Sequence, residues 1–345
     1  MSRRSLTLLI ASIGTAVAIA ISVLVPVPYV ILGPGPTLNT LGKDSSGQPL
    51  ITISGRATYP TNGHLNMVTV SYQGCQGDRF NIFTALVAWL NPHQAVVPES
   101  EICPAGQTQK ETQQQDTQEM TSSQQTATAA ALTELHIPYS TQVVVVQADK
   151  GLPAYGVLKP GDVITAVNGK PVTSQASLTS IITAHPAGTK LTVTVTRNGQ
   201  SKQVMVGTSE SGGHPVMGVE ITGRYKFPFD VSISVGDIGG PSAGLMFALG
   251  IIDKLTKDNL TGGKFIAGTG EIEASGKVDA IGGIQQKMVG ARNAGATVFL
   301  TPASNCADTK GAVPAGLRLV KVSTLNQAVT YLQDLKTGSG SVPSC

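Results

Sequence analysis

The sequence predicts an α+β protein with three parts: an N-terminal membrane-spanning helix, a β-rich segment in the middle and an α/β segment near the C-terminus. Three observations support this fold class. Residues 6–25 contain neither a charge nor a proline and follow two arginines. Short β-branched runs separated by glycine turns fill roughly residues 138–208. Beyond residue 211, amphipathic helical runs alternate with short apolar runs.

The apolar run at the N-terminus is long enough to cross a bilayer, since about 20 helical residues span the hydrocarbon core. Arg3 and Arg4 precede it, so we expect a single-pass cell-membrane protein with a cytoplasmic N-terminus and the rest of the chain outside. The alternative is a cleaved signal peptide, because Ala16-Val17-Ala18 and Ala18-Ile19-Ala20 fit the cleavage pattern. Both lie inside the apolar run, which favours an uncleaved anchor.

Composition limits the other classes of function. The 345 residues carry a net charge of +3 with no basic run beyond Arg3-Arg4, so nucleic-acid binding is not expected. The histidines lack the spacing of a helical zinc pair and the cysteines lack C-x-x-C spacing, so no metal site is expected. The phosphate-binding pattern G-x-x-x-x-G-K-[ST] does not occur, so no nucleotide cofactor is expected.

The region from residue 29 to 137 has mixed secondary structure. Residues 50–53 and 65–70 predict strands, and residues 80–90 predict a helix with one apolar side. That side carries Phe83, Leu86, Val87 and Leu90. Trp89, the single tryptophan, is expected in the protein core. A helix is also predicted from about Thr117 to Leu135, within a stretch rich in glutamine, threonine and serine.

The four cysteines are Cys75, Cys103, Cys306 and Cys345. An extracytoplasmic location favours disulfide bonds, and four cysteines allow three pairings. We favour Cys75–Cys103 and Cys306–Cys345 because each pair stays within one region of the chain. Free buried thiols are the alternative.

The candidate nucleophile is Ser242, in Gly240-Pro241-Ser242-Ala243-Gly244 directly before an amphipathic helical run. At a helix N-terminus, backbone N–H groups and the helix dipole favour a developing oxyanion. All five histidines precede Ser242, which excludes the triad order of an α/β-hydrolase and disfavours an esterase. A base of another kind is therefore needed.

The candidate base is Lys287, on a second predicted helix that ends near residue 293. Its helical face carries Gly283, Ala291 and Ala294. Small side chains would let the amine lie away from water, and desolvation lowers the pKa of a lysine toward the range that a general base needs.

These residues resemble the proteolytic domain of Lon-type serine peptidases over roughly residues 215–336. The resemblance is carried by the serine motif, Thr269-Gly270-Glu271-Ile272, Gly276-Lys277-Val278, and Ile281-Gly282-Gly283 with Lys287. It implies that Ser242 is the nucleophile, that Lys287 is the general base and that Thr269 hydrogen-bonds the lysine. Gly240 and Ala243 are expected to support the site through their backbone. Many Lon sequences have an acidic residue three positions before the serine, where this chain has Gly239.

A second resemblance covers roughly residues 138–208. Lys159-Pro160-Gly161-Asp162-Val163-Ile164, followed by Asn168-Gly169, is similar to a bacterial PDZ domain. PDZ domains bind extended peptides by strand addition, which implies a groove near Tyr139, Val143 and Val145. The alternative is a β domain that only spaces the C-terminal part from the membrane.

Together the segments resemble PDZ-containing Lon-like proteases of Gram-positive bacteria. The resemblance implies an extracytoplasmic serine endopeptidase for unfolded or flexible proteins, with a PDZ domain for substrate or partner tails. Lon enzymes normally carry an ATPase module and this chain has no room for one, so ATP-independent activity without a cofactor is expected. The alternative is a non-catalytic PDZ adaptor with an inactive Lon-like domain.

The expected partners are protein or peptide substrates and, through the N-terminal helix, the membrane; homo-oligomerisation stays open. The expected domains are a membrane anchor (1–28), an extracytoplasmic N-terminal region (29–137), a PDZ domain (138–210), a Lon-type proteolytic domain (211–337) and a C-terminal tail (338–345).

Overall fold

The computed structural model describes residues 3–44, 46–75, 78–103 and 106–345. It forms two compact units. The main unit combines Met1–His136 with Phe229–Cys345, and the inserted unit is Ile137–Pro228. The division differs from the expected one because the segment before the β-rich region folds together with the segment after it.

The elements follow in chain order. The first part of the main unit contains α1 (Arg3–Leu24), β1 (Tyr29–Asn39), β2 (Ile51–Ser54), β3 (His64–Gln73), α2 (Ile82–Trp89), β4 (Ala95–Pro98), α3 (Glu99–Ile102) and α4 (Gln109–Glu134). The inserted unit contains β5 (Ser140–Ala148), β6 (Val163–Val167), β7 (Lys170–Pro171), α5 (Gln175–Thr183), β8 (Lys190–Arg197), β9 (Gln200–Gly207), β10 (Ser209–Ser211), β11 (His214–Val216) and β12 (Val219–Lys226). The main unit resumes with β13 (Asp230–Ile233), α6 (Gly244–Leu255), β14 (Phe265–Gly268), β15 (Glu271–Ile272), β16 (Val278–Asp279), α7 (Ile284–Asn293), β17 (Val298–Pro302), a 3-10 helix (Ala303–Thr309), β18 (Arg318–Val322) and α8 (Leu325–Thr337).

A six-stranded sheet joins the two parts of the main unit, in the order β18-β17-β14-β3-β1-β4. The strand β14 runs parallel to β17 on one side and to β3 on the other. Leu65, Met67 and Val68 of β3 are buried, so this strand needs protein on both faces. The region 29–137 is therefore one half of a shared core.

Two helices, α6 and α4, position the residues around Ser242. All residues of α6 are buried except Lys254, and α4 packs against α6. The helix α4 begins at Gln109, earlier than the predicted start near 117. A capping box at its N-terminus explains the difference: the Thr108 side chain accepts from the Glu111 N–H, and the Glu111 carboxylate accepts from the Thr108 N–H.

The helix α1 has the length and composition of a membrane span, with mean hydropathy 2.3 over Arg3–Val23. A signal sequence has the same character. The helix α2 agrees with the predicted helix, but the expectation for Trp89 is wrong. Its side chain is 70% exposed, because α2 turns the small Ala85 and Ala88 toward the core.

The inserted unit is a β sheet in the order β12-β5-β6-β8-β9, with β7 paired to β6. Leu178 and Ile182 of α5 belong to its core. The predicted turn at Asn198-Gly199 joins β8 and β9 with φ values of 51° and 78°, as a primed hairpin turn requires. The buried Asp162 of the resemblance motif holds Arg197 through two bonds of 2.6 and 2.7 Å, so its role is to fix the fold.

Two disulfide bonds occur, Cys75–Cys103 and Cys306–Cys345, which is the pairing favoured from the sequence. The second ties the C-terminal tail to the main unit, where the Lys321 N–H donates to the Pro343 carbonyl at 3.0 Å. Closing this loop of 39 residues stabilises the fold by about 4 kcal/mol in the chain-entropy account.

Candidate active site

The structure brings Ser242 and Lys287 into contact. The distance from Lys287 Nζ to Ser242 Oγ is 2.8 Å, although 45 residues separate the two in the chain. Ser242 precedes Ala243, the N-cap of α6, and Lys287 lies in the first turn of α7. Two helix N-termini therefore meet at the site. The separation suits transfer of the serine proton to a neutral amine.

The Lys287 side chain lies away from water, with 4% of the residue exposed. Burial lowers the pKa of Lys287 from 10.5 to about 8, because the charged ammonium loses its hydration. A lysine with this pKa is neutral in about one molecule in ten at pH 7. The neutral fraction rises as the pH rises through 8, so base catalysis gains with increasing pH.

Thr269 connects the amine to the backbone of the serine. It is fully buried and follows β14 directly. The Lys287 amine donates to Thr269 Oγ1 at 3.3 Å, and the Thr269 hydroxyl donates to the Ser242 carbonyl at 3.0 Å. The Gly270 N–H donates to the same carbonyl at 2.9 Å. These bonds fix the serine main chain relative to the amine.

Gly283 sets the direction in which Lys287 enters the site. As the N-cap of α7 it has φ of 67°, a left-handed conformation that favours glycine. A Cβ atom here would also lie 2.6 Å from the Val70 side chain. The Gly283 carbonyl accepts from the Lys287 N–H at 3.0 Å. Gly283 therefore lies against Val70 of β3, and Lys287 follows it by one turn of α7.

Gly240 and Ala243, the two residues expected to support the site through their backbone, differ in whether their N–H groups already donate a hydrogen bond. The Gly240 N–H donates to the Asp116 carbonyl at 3.2 Å, so it is already engaged. Within the described part of the chain, the N–H groups of Ser242 and Ala243 donate no hydrogen bond. They are therefore the donors beside Ser242 Oγ that an oxyanion could use.

The sequence analysis missed Asp116 on α4. A Cβ atom at Gly239 would overlap the Cβ of Asp116, so the glycine is required by the close approach of α4. Burial, followed by the charge of Glu119, raises the pKa of Asp116. A second residue of α4, Ser123, donates to the Pro241 carbonyl at 2.9 Å. The capping box formed by Thr108 and Glu111 is the sequence feature that predicts an earlier start of α4, and a helix that starts there includes Asp116.

A cleft of about 520 Å³ contains Ser242 and Lys287. Apolar residues of β1 and β3, together with Met120 of α4, form one wall; these are Leu32, Pro36, Met67, Val68 and Val70. A second cavity of about 460 Å³ also contacts Asp116 and Gly239, and it is lined by the Cys75–Cys103 disulfide. The two cavities share Asp116, Asp237 and Gly239 in their lining, so carboxylates lie beside the cleft that contains Ser242.

The residues described by the structure include no group of three or more histidine, cysteine, aspartate or glutamate side chains able to hold a metal ion. Among the residues that line the cleft, Ser242 supplies a hydroxyl, Lys287 an amine, and Asp116 and Asp237 carboxylates.

The predicted peptide groove near Tyr139, Val143 and Val145 is wrong. Both valines are buried in the core of the inserted unit, and β5 pairs with β12 on one side and β6 on the other. Strand addition needs an unpaired edge. Tyr139 packs edge-on against Tyr225 and Phe227.

A groove exists elsewhere in the inserted unit, between α5 and the edge strand β12. It encloses about 360 Å³ and is lined by Leu178, Thr179 and Ile182 of α5 and by Val219 and Ile221 of β12. The Gln175 side chain crosses its rim and donates to the Ile221 carbonyl at 3.0 Å.

We predict that Gly239→Asp sharply lowers the peptide-hydrolysing activity expected from the sequence resemblance, because the new side chain collides with Asp116 and displaces the serine loop. The double variant Asp116→Gly/Gly239→Asp should regain much of that activity. Its free energy of unfolding should be lower by about 1 kcal/mol, because glycine is unfavourable in the interior of α4. Hydrolysis rates and melting temperatures of the wild type, both single variants and the double variant measure this. Equal activity of Gly239→Asp and wild type would contradict the close packing.

Two protein-family models match separate segments of the chain. Residues 230–333 match the family model of the Lon protease (S16) C-terminal proteolytic domain, and residues 112–208 match the PDZ domain. The PDZ match starts inside α4 and ends before β12, whereas the inserted unit spans Ile137–Pro228.

Curated relatives are similar over short segments. The chain is 48% identical over 63 residues to Lon protease of Clostridioides difficile, covering 18% of this chain and 8% of that protein. It is 35% identical over 95 residues to Lon protease of Neorickettsia sennetsu, covering 27% and 11%. It is 29% identical over 120 residues to Lon protease 1 of Bacillus subtilis, covering 33% and 15%. The chain thus spans only 8 to 15% of the length of these relatives.

Among solved structures, the PDZ domain of an SdrC-like protein from Listeria monocytogenes is 22% identical, with a TM-score of 0.22. The match covers 23% of this chain and 85% of that one. The family matches show a chain that combines a Lon-type proteolytic domain with a PDZ domain, as in a PDZ-containing Lon-like protease.

Proposed function

We propose that this chain is a membrane-anchored, extracytoplasmic serine endopeptidase that uses Ser242 and Lys287 as a catalytic dyad. The observation that carries the proposal is the 2.8 Å contact between the serine hydroxyl and an almost fully buried lysine amine. A lysine kept out of water serves as a base near neutral pH, and a serine beside such a base is an activated nucleophile.

The proposed reaction begins with the neutral amine of Lys287. It accepts the Ser242 proton while Oγ attacks the carbonyl carbon of the substrate peptide bond. The ammonium then gives this proton to the departing amine as the C–N bond breaks, leaving an ester on Ser242. Water attacks the ester with Lys287 again as base, and the ester oxygen recovers its proton.

Stabilisation of the tetrahedral intermediate is assigned to the backbone N–H groups of Ser242 and Ala243. Both stand at the N-terminus of α6, where the helix dipole also favours negative charge. Thr269 contributes by position: it holds the Lys287 amine and the Ser242 carbonyl at the same time. Gly240 acts by shaping the turn with its φ of 86°.

The proposed location rests on α1 and on the cysteines. Two arginines precede α1, which favours a cytoplasmic N-terminus. Two disulfide bonds are characteristic of an oxidising compartment outside the cytoplasm. We infer a single-pass membrane protein with both units outside.

The proposed substrates are unfolded or flexible proteins, cleaved without ATP. The chain contains no phosphate-binding loop pattern of the form G-x-x-x-x-G-K-[ST]. Without coupled unfolding, a segment must already be extended to enter the cleft beside Ser242.

The inserted unit is proposed to bind a peptide tail in the groove between α5 and β12. The edge strand β12 offers backbone groups for strand addition, and the apolar side chains of α5 offer a pocket for an alternate side chain. A bound strand replaces the contact between Gln175 and the Ile221 carbonyl.

The catalytic proposal is tested with Ser242→Ala and Lys287→Met. Each should lower hydrolysis of an unfolded protein substrate by at least about 1000-fold, and the double variant should lose no more, since the two residues act as one unit. Ser304→Ala and Lys310→Met are matched controls on exposed positions. Circular dichroism checks that every variant folds.

Addition of ATP and magnesium should leave the wild-type rate unchanged. Full activity in Lys287→Met would exclude the lysine as base. A wild type that cleaves nothing, yet still binds peptide tails, would favour the adaptor interpretation.

Peptide binding is tested with Thr179→Arg, which fills the groove from the exposed side of α5. The control is Ser180→Arg, exposed on the same helix but outside the groove lining. Titration of the full chain in detergent against a library of apolar C-terminal peptides should show binding by the wild type and Ser180→Arg, and loss in Thr179→Arg. Equal peptide binding by both variants would exclude this groove as the peptide-binding site.

A further inference from the structure

The helix α2 presents an apolar surface that the peptidase proposal does not use. Five large side chains of α2, and that of Leu90 directly after it, are at least half exposed: Ile82 51%, Phe83 60%, Leu86 51%, Val87 54%, Trp89 70% and Leu90 68%. Beyond α1, no other nine-residue stretch of the described chain carries such a cluster. A contiguous patch of this kind, of roughly several hundred Å², marks an interaction surface.

The inner face of α2 is firmly held by protein. Ala85 and Ala88 pack in a small core cluster with Ile31 and Phe80, and the Asn81 side chain caps the helix by accepting from the Thr84 N–H at 2.9 Å. The exposed face is therefore rigid, and its side chains cannot turn inward without breaking this cluster.

The start of α2 is fixed next to the end of α1. The Val27 N–H donates to the Phe80 carbonyl at 3.0 Å, and Pro26 pairs with Asn81 in a β-bridge. The bridge lies two residues beyond α1, within roughly 10 Å of its last turn at extended-chain spacing. The 22 residues of α1 span about 33 Å, close to the thickness of a bilayer core. The α2 helix therefore begins at headgroup depth wherever α1 crosses the membrane.

The chemistry of the exposed face suits lipid better than protein. No Asp, Glu, Lys or Arg occurs from Phe80 to Pro98, so the exposed face carries no charge that would lose its hydration among acyl chains. Tryptophan concentrates at the boundary between acyl chains and headgroups. Helices that lie in the membrane plane likewise turn Trp, Phe and Leu toward the acyl chains.

We propose that α2 lies in the outer interface of the bilayer, with Phe83, Leu86 and Trp89 among the acyl chains, and acts as a second membrane contact beside α1. Because α2 packs against β4 and β1, and Leu32 of β1 lines the Ser242 cleft, this contact fixes the orientation of the cleft toward the membrane surface. A single spanning helix would leave the main unit free to tilt.

Trp89 is the only tryptophan in the sequence, so tryptophan fluorescence reports on the environment of α2 alone. The full chain is reconstituted in phosphatidylcholine–phosphatidylglycerol vesicles whose acyl chains carry bromine at a shallow or a deep position. We expect Trp89 emission to be blue-shifted and quenched, more strongly by the shallow bromine. The control Trp89→Phe/Tyr331→Trp moves the tryptophan to α8, which packs on β18 at the opposite edge of the sheet, and should be unaffected.

The variant Phe83→Asp/Leu86→Asp places two charges on the face and should lose the quenching of Trp89, while α1 still carries the chain to the vesicles. Both side chains are more than half exposed, so folding is retained. The control Met205→Asp/Val313→Asp adds the same charge at other exposed apolar positions and should keep the quenching.

A chain that floats with the vesicles while bromine leaves Trp89 emission at the level of the α8 control would overturn the proposal. A blue shift without bromine quenching that grows with protein concentration would assign the patch to a second copy of the chain instead. A chain that does not float with the vesicles would show that neither α1 nor α2 contacts the membrane. Peptide hydrolysis in the same vesicles is read separately, so these outcomes are independent of the peptidase proposal.

Discussion

The exclusion of water from the Lys287 amine is the constraint on which the site depends. An exposed lysine is almost entirely charged at neutral pH and cannot accept the Ser242 proton. Here the amine is enclosed by α6, α7 and the end of β14, with Ser242 and Thr269 as hydrogen-bonding partners. Burial carries an energetic cost in the folded state, because the ammonium loses hydration, and the same cost lowers its pKa. The surrounding core must offset it.

That core is assembled from both ends of the chain. The strands β1 and β3 precede the inserted unit and β14 follows it, yet these three strands share one sheet. Residues of β1 and β3 line the same cleft as Lys287 of α7. The α4 helix adds a further wall through Asp116 and Ser123. This arrangement explains why Gly239, Gly240 and Gly283 are needed around the dyad: each lies where another element approaches closely or where the backbone is left-handed. Insertion of the PDZ-like unit between α4 and β13 leaves these contacts intact.

The local parts of this site could be predicted from the sequence, and the long-range parts could not. Helix periodicity and the glycine-flanked serine placed Ser242 at a helix N-terminus and Lys287 on a second helix, and their contact agrees with the family resemblance. The role of Asp116 depends on packing between segments more than 100 residues apart, which no local pattern records. The groove was misplaced because Val143 and Val145 fit any buried strand, and only the sheet order shows that both edges of β5 are paired. Trp89 was assigned to the core by residue type, whereas α2 buries alanines.

The central claim is that Lys287 activates Ser242 as its base. The most direct measurement is the rate at which a fluorophosphonate labels the protein, followed against pH and mapped by peptide mass spectrometry. The account predicts labelling at Ser242 alone, with a rate that rises with pH around a midpoint of about 8 and that falls to background in Lys287→Met. Labelling at another serine, or a rate at Ser242 that does not depend on Lys287, would contradict it.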